Sequence, residues 1–248
     1  MVKGLETFKK YFEKYENQYV LIGGAACDIV FKSNDASFRA TRDFDMVLIV
    51  EALTPEFGKK FWQFIQDGKY RNKATNREKP QFYRFDKPEN ESYPKMIELF
   101  CRNNFELYEM SGITPIHIDD TISSLSAILL DDDYYKVLLD GKIVIDKLSV
   151  LRPEYLIVLK IKAYLDLKQR KQNGEVIDSN DVKKHKKDVL RIVAELMLDR
   201  TSVLPSSVKL DIDMFIDSLM IDPFDSNSLK AYGIKNEDVI DTLRRVFE

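Results

Sequence analysis

Apolar residues recur every three or four positions at the start of the chain, at Leu5, Phe8, Phe12 and Tyr15, with charged residues between them. Residues with this spacing lie on one face of a helix, so the pattern predicts an amphipathic first helix. The uninterrupted apolar run 19–22 follows. Its length and β-branched content indicate a short buried strand.

The next segments alternate between the two kinds of pattern. A Gly-Gly turn at 23–24 precedes an apolar helical segment, a loop-like polar stretch covers 33–42, and Pro55 occupies the first turn of a further helix. Residues 67–95 form a polar, charged stretch. Two more apolar runs predict strands, at 43–50 and 96–101. Strands interleaved with helices are typical of an α/β fold.

Helical patterns dominate beyond about residue 120. An Asp140-Gly141 pair between two apolar runs is the exception, since it predicts a β-hairpin. We expect an α/β (α+β) fold with a mixed sheet in a domain of residues 1–150. A helical domain of residues 151–248 is expected to pack on it, with a boundary near 148–152. The predicted helices are 122–129, 155–167, 180–198, 212–219 and 238–247.

Composition changes this picture little. The formal net charge is −3, which argues against a protein that binds nucleic acid over its whole surface. Residues 160–191 nevertheless hold ten Lys or Arg against five Asp or Glu. Cys27 and Cys101 are too few for a disulfide scaffold, and no apolar stretch reaches the roughly 18 residues of a membrane span. We therefore expect a soluble, cytoplasmic protein without a membrane partner.

Asp43 and Asp45 are the first candidates for chemistry. If residues 43–50 form a strand, both carboxylates point to one face because side chains alternate with period two. Two such carboxylates repel unless a cation lies between them, and oxygen ligands of this kind suit Mg²⁺. Gly23 and Gly24, between a strand and a helix, let backbone N–H groups approach a phosphate closely. Together these residues indicate a metal-nucleotide site.

Glu98 interrupts the apolar run 96–101 and is the best third acid for that site, since a charge is rarely buried unless it is paired or bound to a metal. A solvent-facing position on the strand is the alternative, and Glu106 is a weaker substitute. The run of aspartates at 131–133 favours a solvated turn. His117 and His185 lack matching partners, so surface or structural roles are favoured for them.

These motifs resemble the nucleotidyltransferase fold of the DNA polymerase beta superfamily. The resemblance is carried by Ile22-Gly23-Gly24, Asp43-Phe44-Asp45-Met46 and Glu98, although the 18 residues between Gly24 and Asp43 exceed the spacing in compact members. Within the superfamily, the chain is most similar to AbiEii-type toxin nucleotidyltransferases. The similarity covers roughly residues 18–195 and also includes Arg39-Ala40-Thr41-Arg42-Asp43-Phe44-Asp45, Leu159-Lys160-Ile161-Lys162-Ala163 and Lys187-Asp188.

The resemblance implies roles for individual residues. Asp43 and Asp45 would hold Mg²⁺, with Glu98 as a further ligand or as a base. Lys160 would contact the triphosphate or hold the site closed, with Asp188 as a later active-site acid. For Lys160, a structural pair with Asp188 stays open, as does a shift of register to Lys162. The nucleotide-binding residues implied are Gly23, Gly24, Arg39 and Thr41.

The expected function is Mg²⁺-dependent transfer of a nucleoside monophosphate from a nucleoside triphosphate, such as ATP, to a hydroxyl of RNA (a tRNA, for example) or protein. The family also implies a toxin of a toxin–antitoxin pair, with a cognate antitoxin as partner. Two alternatives stay open, namely transfer to a small molecule of the aminoglycoside type and a nucleotide- or partner-binding module without turnover. An RNA acceptor would suit a basic face at Lys183, Lys184, Lys186 and Lys187, which also fits a solvated helix.

Overall fold

The computed structural model of the protein describes residues 2–41, 43–71, 82–100, 131–201 and 203–248. The chain divides into two compact units. The first comprises Met1–Leu130 and Lys142–Leu151, and the second comprises Asp131–Gly141 and Arg152–Glu248. This division differs from the predicted 1–150 and 151–248 because the segment Asp131–Gly141 belongs to the helical unit.

A six-stranded mixed sheet forms the first unit, in the order β3-β4-β2-β1-β6-β5. The neighbours β2 and β4 are parallel, as are β1 and β6, and the remaining pairs are antiparallel. The mixed sheet and the helical C-terminal half confirm the predicted fold class. The strands are β1 Tyr19–Ile22, β2 Asp43–Leu48, β3 Phe82–Asp86, β4 Met96–Phe100, β5 Lys142–Ile145 and β6 Leu148–Leu151.

Helices α1 (Leu5–Phe12) and α3 (Pro55–Asp67) cover one face of this sheet, and α2 (Gly23–Ser33) packs against β1 and β2. The covered face is aromatic: the ring of Phe8 lies 5.3 Å from that of Phe44. Phe61 of α3 similarly lies 5.5 Å from Phe85 of β3. Burial of such large rings contributes strongly to the stability of this unit.

Among its described residues, the second unit consists of α-helices and the segments that connect them. Helix α5 (Pro153–Gln172) is its longest element and buries ten of its 20 residues. Helices α6 (Ser179–Glu195) and α7 (Ser206–Ile221) pack against α5. In the described part of the chain, no helix is long and apolar enough to cross a lipid bilayer. Its helices are α4 Asp132–Asp140, α5 Pro153–Gln172, α6 Ser179–Glu195, α7 Ser206–Ile221, α8 Ser226–Tyr232 and α9 Asn236–Phe247.

The predicted hairpin at Asp140-Gly141 is wrong. The Asp131 carboxylate accepts hydrogen bonds from the N–H groups of Asp133 and Tyr134, at 2.9 and 3.3 Å, and thereby caps α4. The aspartates at 131–133 therefore begin a helix rather than a solvated turn, and Gly141 follows its end. The hairpin forms one element later, between β5 and β6, and turns at Asp146-Lys147.

Besides α4 and β6, which take the place of the predicted hairpin, one strand and one α-helix were not predicted from the sequence. Strand β3 lies in the charged stretch 67–95, and the short helix α8 lies in the acidic C-terminal segment. The predicted helix at 122–129, together with Cys101, Glu106 and His117, lies outside the described residues.

Candidate functional site

The junction of β1 and α2 places Gly23 against the Asp45 carboxylate. Gly23 has a φ of +65°, and a Cβ on it would lie 1.9 Å from Oδ2 of Asp45. A side chain at this position is therefore excluded by the backbone conformation and by contact. The carboxylate of β2 consequently lies directly at the N-terminus of α2.

The second glycine makes an equally close contact with Thr41. A Cβ on Gly24 would lie 2.5 Å from Oγ1 and 2.9 Å from Cβ of Thr41, two residues before β2 begins. The first turn of α2 thus has the Asp45 carboxylate and the Thr41 hydroxyl as neighbours. These four residues, each a sequence candidate, are together in the structure.

The sheet register brings Glu98 beside Asp45. Asp45 of β2 is opposite Ile22 of β1 on one side and Glu98 of β4 on the other. Glu98 is in turn opposite Arg84 of β3. Directly opposed residues point to the same face of a sheet. Asp43 lies two residues before Asp45 and shares that face. Both aspartates and Glu98 are half-buried.

Glu98 is paired with a cation from the neighbouring strand. The Arg84 guanidinium donates to Oε1 of Glu98 from Nε at 2.8 Å and from Nη2 at 2.5 Å. The Arg84 side chain is 42% exposed and that of Glu98 is 14% exposed. Within the described ranges, no group of three or more His, Cys, Asp or Glu is close enough to hold a metal ion. Strand β3 thus places a guanidinium next to Glu98, and metal binding by Asp43, Asp45 and Glu98 stays a prediction.

Sequence reasoning missed two residues on this face. Arg84 and Asp86 both lie on β3, and the register sets Asp86 in line with Met96 and Asp43. The signal for them was the alternation of aromatic and polar residues in 82–86. Strand β3, which was not predicted, therefore adds one cation and one acid to the sheet face of Asp43, Asp45 and Glu98.

Arg39 is held by aromatic side chains close to Thr41 in sequence. Its guanidinium lies over the ring of Phe38, 5.2 Å from the centroid, and Phe38 contacts Phe31 of α2 at 5.0 Å. This packing fixes the segment that leads into β2. Arg39 is half-buried, and its predicted contact with the nucleotide stays a prediction.

Lys160 and Asp188 pair with each other in the second unit. The Lys160 Nζ donates to Asp188 Oδ2 at 2.8 Å, and the two side chains are only 7% and 3% exposed. The alternative Lys162 is also engaged, since it donates to Asp211 at 2.7 Å. Asp188 thus provides Lys160 with the anionic partner that its buried position requires. The phosphate contact predicted for Lys160 stays a prediction.

The lysines predicted to form a basic face on α6 differ in their surroundings. Lys183, Lys184 and Lys187 are exposed. Lys186 is buried and donates to Asp222, with its Nζ 2.9 Å from Oδ2. Lys186 therefore holds the segment after α7 and is not part of an exposed face.

Comparisons with known proteins give little similarity in sequence. No protein-family model matches the chain, and no curated protein matches it. Among solved structures, the chain is similar to the crystal structure of an antigenic nucleotidyltransferase-like protein from Paracoccidioides brasiliensis. The identity is 12% and the TM-score 0.46, with 100% of this chain and 96% of that chain covered. A similarity this low does not establish a shared fold, so the chemistry of the site is the basis for a functional assignment.

Proposed function

We propose that the protein is a nucleotidyltransferase that moves a nucleoside monophosphate from a nucleoside triphosphate to an acceptor hydroxyl. The observation that carries this proposal is the contact of Asp45 with Gly23 at the start of α2. It combines a carboxylate on a sheet face with a glycine-made helix N-terminus. The two groups suit the metal and the phosphates of one ligand.

The phosphates of the nucleotide would lie at the N-terminus of α2. The N-cap residue of this helix, Ile22, makes no side-chain cap hydrogen bond, and the first turn contains no acid. The first N–H groups of a helix lack intrahelical partners and attract anions. Gly23 and Gly24 let a phosphate approach these groups, and the Thr41 hydroxyl beside Gly24 is a further donor.

Mg²⁺ fits the donor set of β2. Asp43 and Asp45 supply hard carboxylate oxygens from one strand face, and both are half-buried, so solvent and a ligand reach them. When bound, the ion would neutralise charge on the triphosphate and polarise the α-phosphate. The two aspartates would hold it, and Glu98 is the further acid that register places beside Asp45.

Transfer requires one bond to form and one to break. The acceptor hydroxyl oxygen attacks the α-phosphorus, and the bond from that phosphorus to the oxygen bridging to the β-phosphate breaks, which releases pyrophosphate with the electron pair. We assign Glu98 as the group that receives the hydroxyl proton. Arg84 holds Oε1 of Glu98, and in the described part of the chain no hydrogen bond or ion pair is made by Oε2. Arg84 would thereby orient the base.

For the acceptor we propose a hydroxyl of RNA or protein, and for the biological role a growth-inhibiting toxin neutralised by an antitoxin. The exposed Lys183 and Lys184 of α6 support an RNA acceptor, since exposed amines bind phosphates. Expression of the intact chain should then arrest growth, and expression of the Asp45→Asn variant should not. Equal growth with both chains would contradict the toxin role.

The activity is tested by incubating the protein with radiolabelled nucleoside triphosphates, Mg²⁺ and either total RNA or lysate protein. We expect labelled acceptor and released pyrophosphate, with labelling reduced about a hundredfold or more by Asp43→Ala or Asp45→Asn. Glu56→Gln is the matched control, because it removes one exposed carboxylate at the start of α3. Equal labelling by the intact chain and the aspartate variants would overturn the proposal.

A second candidate is nucleotide binding without turnover. The observation that favours it is the engagement of Glu98 by Arg84, which leaves two carboxylates on β2 for a metal. Equilibrium binding of a labelled triphosphate in Mg²⁺ distinguishes the two functions. Binding that depends on Asp45, without labelled product for any acceptor fraction, would favour the second candidate.

A further inference from the structure

A basic cleft lies within the second unit, formed by the C-terminal half of α5, the N-terminal half of α6 and the segment that follows α7. We call it the α5–α6 cleft. Its volume is about 600 Å³. Five lysines and two aspartates are its charged residues, so its formal charge is about +3. The charged residues are Lys168, Lys171, Lys183, Lys186, Lys187, Asp222 and Asp225.

Helix geometry concentrates these lysines. Lys168 and Lys171 are three residues apart on α5, and Lys183 and Lys187 are four residues apart on α6, so each pair lies on one helix face. Like charges at these spacings destabilise a helix. Two such pairs that line one cleft therefore need negative charge nearby.

The two aspartates compensate only two of the lysines. The Lys186 Nζ lies 2.9 Å from Asp222 Oδ2 and also donates to backbone carbonyls of Asp222 and Pro223. The Lys187 Nζ lies 4.0 Å from Asp225 Oδ2. These contacts attach the segment after α7 to α6 and account for both acids of the cleft.

Three lysines of the cleft have no acidic partner among the described residues. Lys168 donates to the Tyr164 hydroxyl at 3.4 Å, and Lys171 donates to the Ser179 hydroxyl. Neither these two nor Lys183 lies within 4.0 Å of a carboxylate of a described residue. Among the described residues, two ammonium groups at the cleft thus have a neutral hydroxyl as partner, and that of Lys183 has no carboxylate nearby.

The rest of the cleft suits an anion that also has an uncharged part. Phe224, which is 5% exposed, contributes apolar surface together with Val182 and Pro223. Ser179, the first residue of α6, also lines the cleft, so the positive end of that helix dipole adds to the field of the lysines.

We propose that the α5–α6 cleft binds a ligand that carries two or more phosphate groups, held by Lys168, Lys171 and Lys183. The phosphates can belong to the backbone of a single-stranded nucleic acid or to a free oligophosphate such as tripolyphosphate. All lining residues belong to the second unit, so this site does not depend on the proposed chemistry of the sheet face.

The test is the binding of a fluorescein-labelled 12-nucleotide oligouridylate, followed by fluorescence anisotropy, with tripolyphosphate as competitor. EDTA is present throughout, so a metal-dependent site on β2 does not contribute. The variant Lys168→Gln/Lys171→Gln/Lys183→Gln should weaken binding about tenfold or more. It should also lower the slope of log K against log salt by about 2, because each lysine–phosphate contact on a single strand contributes about 0.7.

The matched control removes the same charge from exposed lysines of the same unit that do not line the cleft. It is Lys136→Gln/Lys209→Gln/Lys230→Gln, and it should keep most of the affinity and the salt slope of the intact chain. Circular dichroism verifies that both triple variants are folded.

The competitor separates the two sources of phosphate. Displacement of the oligonucleotide by micromolar tripolyphosphate identifies a free oligophosphate as a sufficient ligand, whereas displacement only at millimolar concentration identifies an extended phosphate backbone. Either result supports the site. Equal binding by the two triple variants, or no binding of either probe by the intact chain, would overturn it.

Discussion

Asp45 and Asp188 are both acids that the sequence nominates for an active site, yet the two units use them differently. Asp45 is half-buried on a sheet face, and its carboxylate lies against Gly23. Asp188 is 3% exposed and accepts a hydrogen bond from Lys160. The same residue type thus provides a solvent-accessible carboxylate in one unit, which we propose is a metal ligand, and an internal ion pair in the other.

The difference follows from desolvation. A buried carboxylate requires a counter-charge permanently, since its interaction with water is lost. A half-exposed carboxylate keeps water as an alternative partner and can exchange it for a cation. Solvent access therefore separates candidate catalytic acids from structural ones better than the sequence motif does.

The largest expected effect tests the structural assignment of the buried pair. Lys160→Met removes the ammonium group beside Asp188 and leaves a buried carboxylate without it. We expect the free energy of unfolding to fall by about 3 to 5 kcal/mol. Urea denaturation followed by circular dichroism measures this loss.

The double variant Lys160→Met/Asp188→Leu is the control, because it removes both charges. It should regain most of the lost stability. A loss below about 1 kcal/mol for Lys160→Met would contradict the assignment of Lys160 and Asp188 as a structural ion pair, since a surface ion pair contributes about that much to stability. Lys160 would then be available for the phosphate contact that its motif suggests.

A smaller loss is expected at the glycine beside Asp45. Gly23→Ala places a Cβ where Asp45 Oδ2 now lies and adds strain at φ +65°, so we expect destabilisation of about 2 to 4 kcal/mol. Nucleotide binding should also be lost. Thermal unfolding and equilibrium triphosphate binding measure the two effects.

Gly233 provides the matched control for this glycine. It has a φ of +66°, and nothing lies within 4 Å of the position of its Cβ. Gly233→Ala should therefore report the backbone strain alone, about 1 kcal/mol. Equal effects of the two substitutions would show that Asp45 does not restrict the space at Gly23.

Alkaline pH should affect the buried network of the second unit. Burial, and then the 2.7 Å hydrogen bond to Asp211, raise the pKa of Tyr134 above its ordinary value of 10. Above pH 10 the unfolded phenol loses its proton while the folded phenol keeps it, so stability falls as the pH rises. The contribution is about 1.4 kcal/mol per pH unit.

Tyr134→Phe removes this group. The slope of the free energy of unfolding against pH should therefore become less steep, by the contribution of about one proton. Burial also raises the pKa of Tyr19 and Tyr70 in the first unit, so a residual slope should persist. Urea titrations between pH 9 and pH 11 measure it. An unchanged slope would show that Tyr134 ionises in the folded state.

The smallest expected stability change is at Arg84. Because its side chain is 42% exposed, Arg84→Met should lower the free energy of unfolding by about 1 kcal/mol or less. Nucleotidyl transfer should fall about tenfold to a hundredfold, since Glu98 loses the group that orients it. Labelling assays measure the change in transfer, and urea denaturation of the same preparation measures the change in the free energy of unfolding.

Glu98→Gln is the companion variant for that experiment. If Glu98 is the base, it should reduce transfer at least as much as Arg84→Met. A large loss of stability with unchanged transfer would show that Arg84 and Glu98 form a structural ion pair, as Lys160 and Asp188 do.

Elements with strong local signals could be predicted from the sequence. The apolar run 19–22 has the bounds of β1 because polar residues and glycine flank it, and Pro55 begins α3 as expected. The hairpin predicted at Asp140-Gly141 is wrong because helix α4, which Asp131 caps at its N-terminus, continues to Asp140. A local turn preference was overridden by helix formation.

The candidate site likewise has parts that could be predicted from the sequence and parts that could not. The common face of Asp43 and Asp45 follows from the period of a strand, and the contact of Gly23 with Asp45 follows from a tight strand–helix junction. The partner of Glu98 depended on the register of β3, which no local pattern of the sequence contains. Long-range pairing therefore decides what surrounds an acid that a local sequence pattern indicates.

The order in which the chain builds its two units limits how it can be dissected. It completes four strands, contributes α4 to the second unit, and then returns to add the β5–β6 hairpin beside β1. A fragment ending at residue 130 would leave the wholly buried strand β1 as an exposed edge, which promotes aggregation. A fragment starting at residue 152 would lack α4. During synthesis, the sheet must likewise wait for residue 151 to emerge before its central strand is protected on both sides.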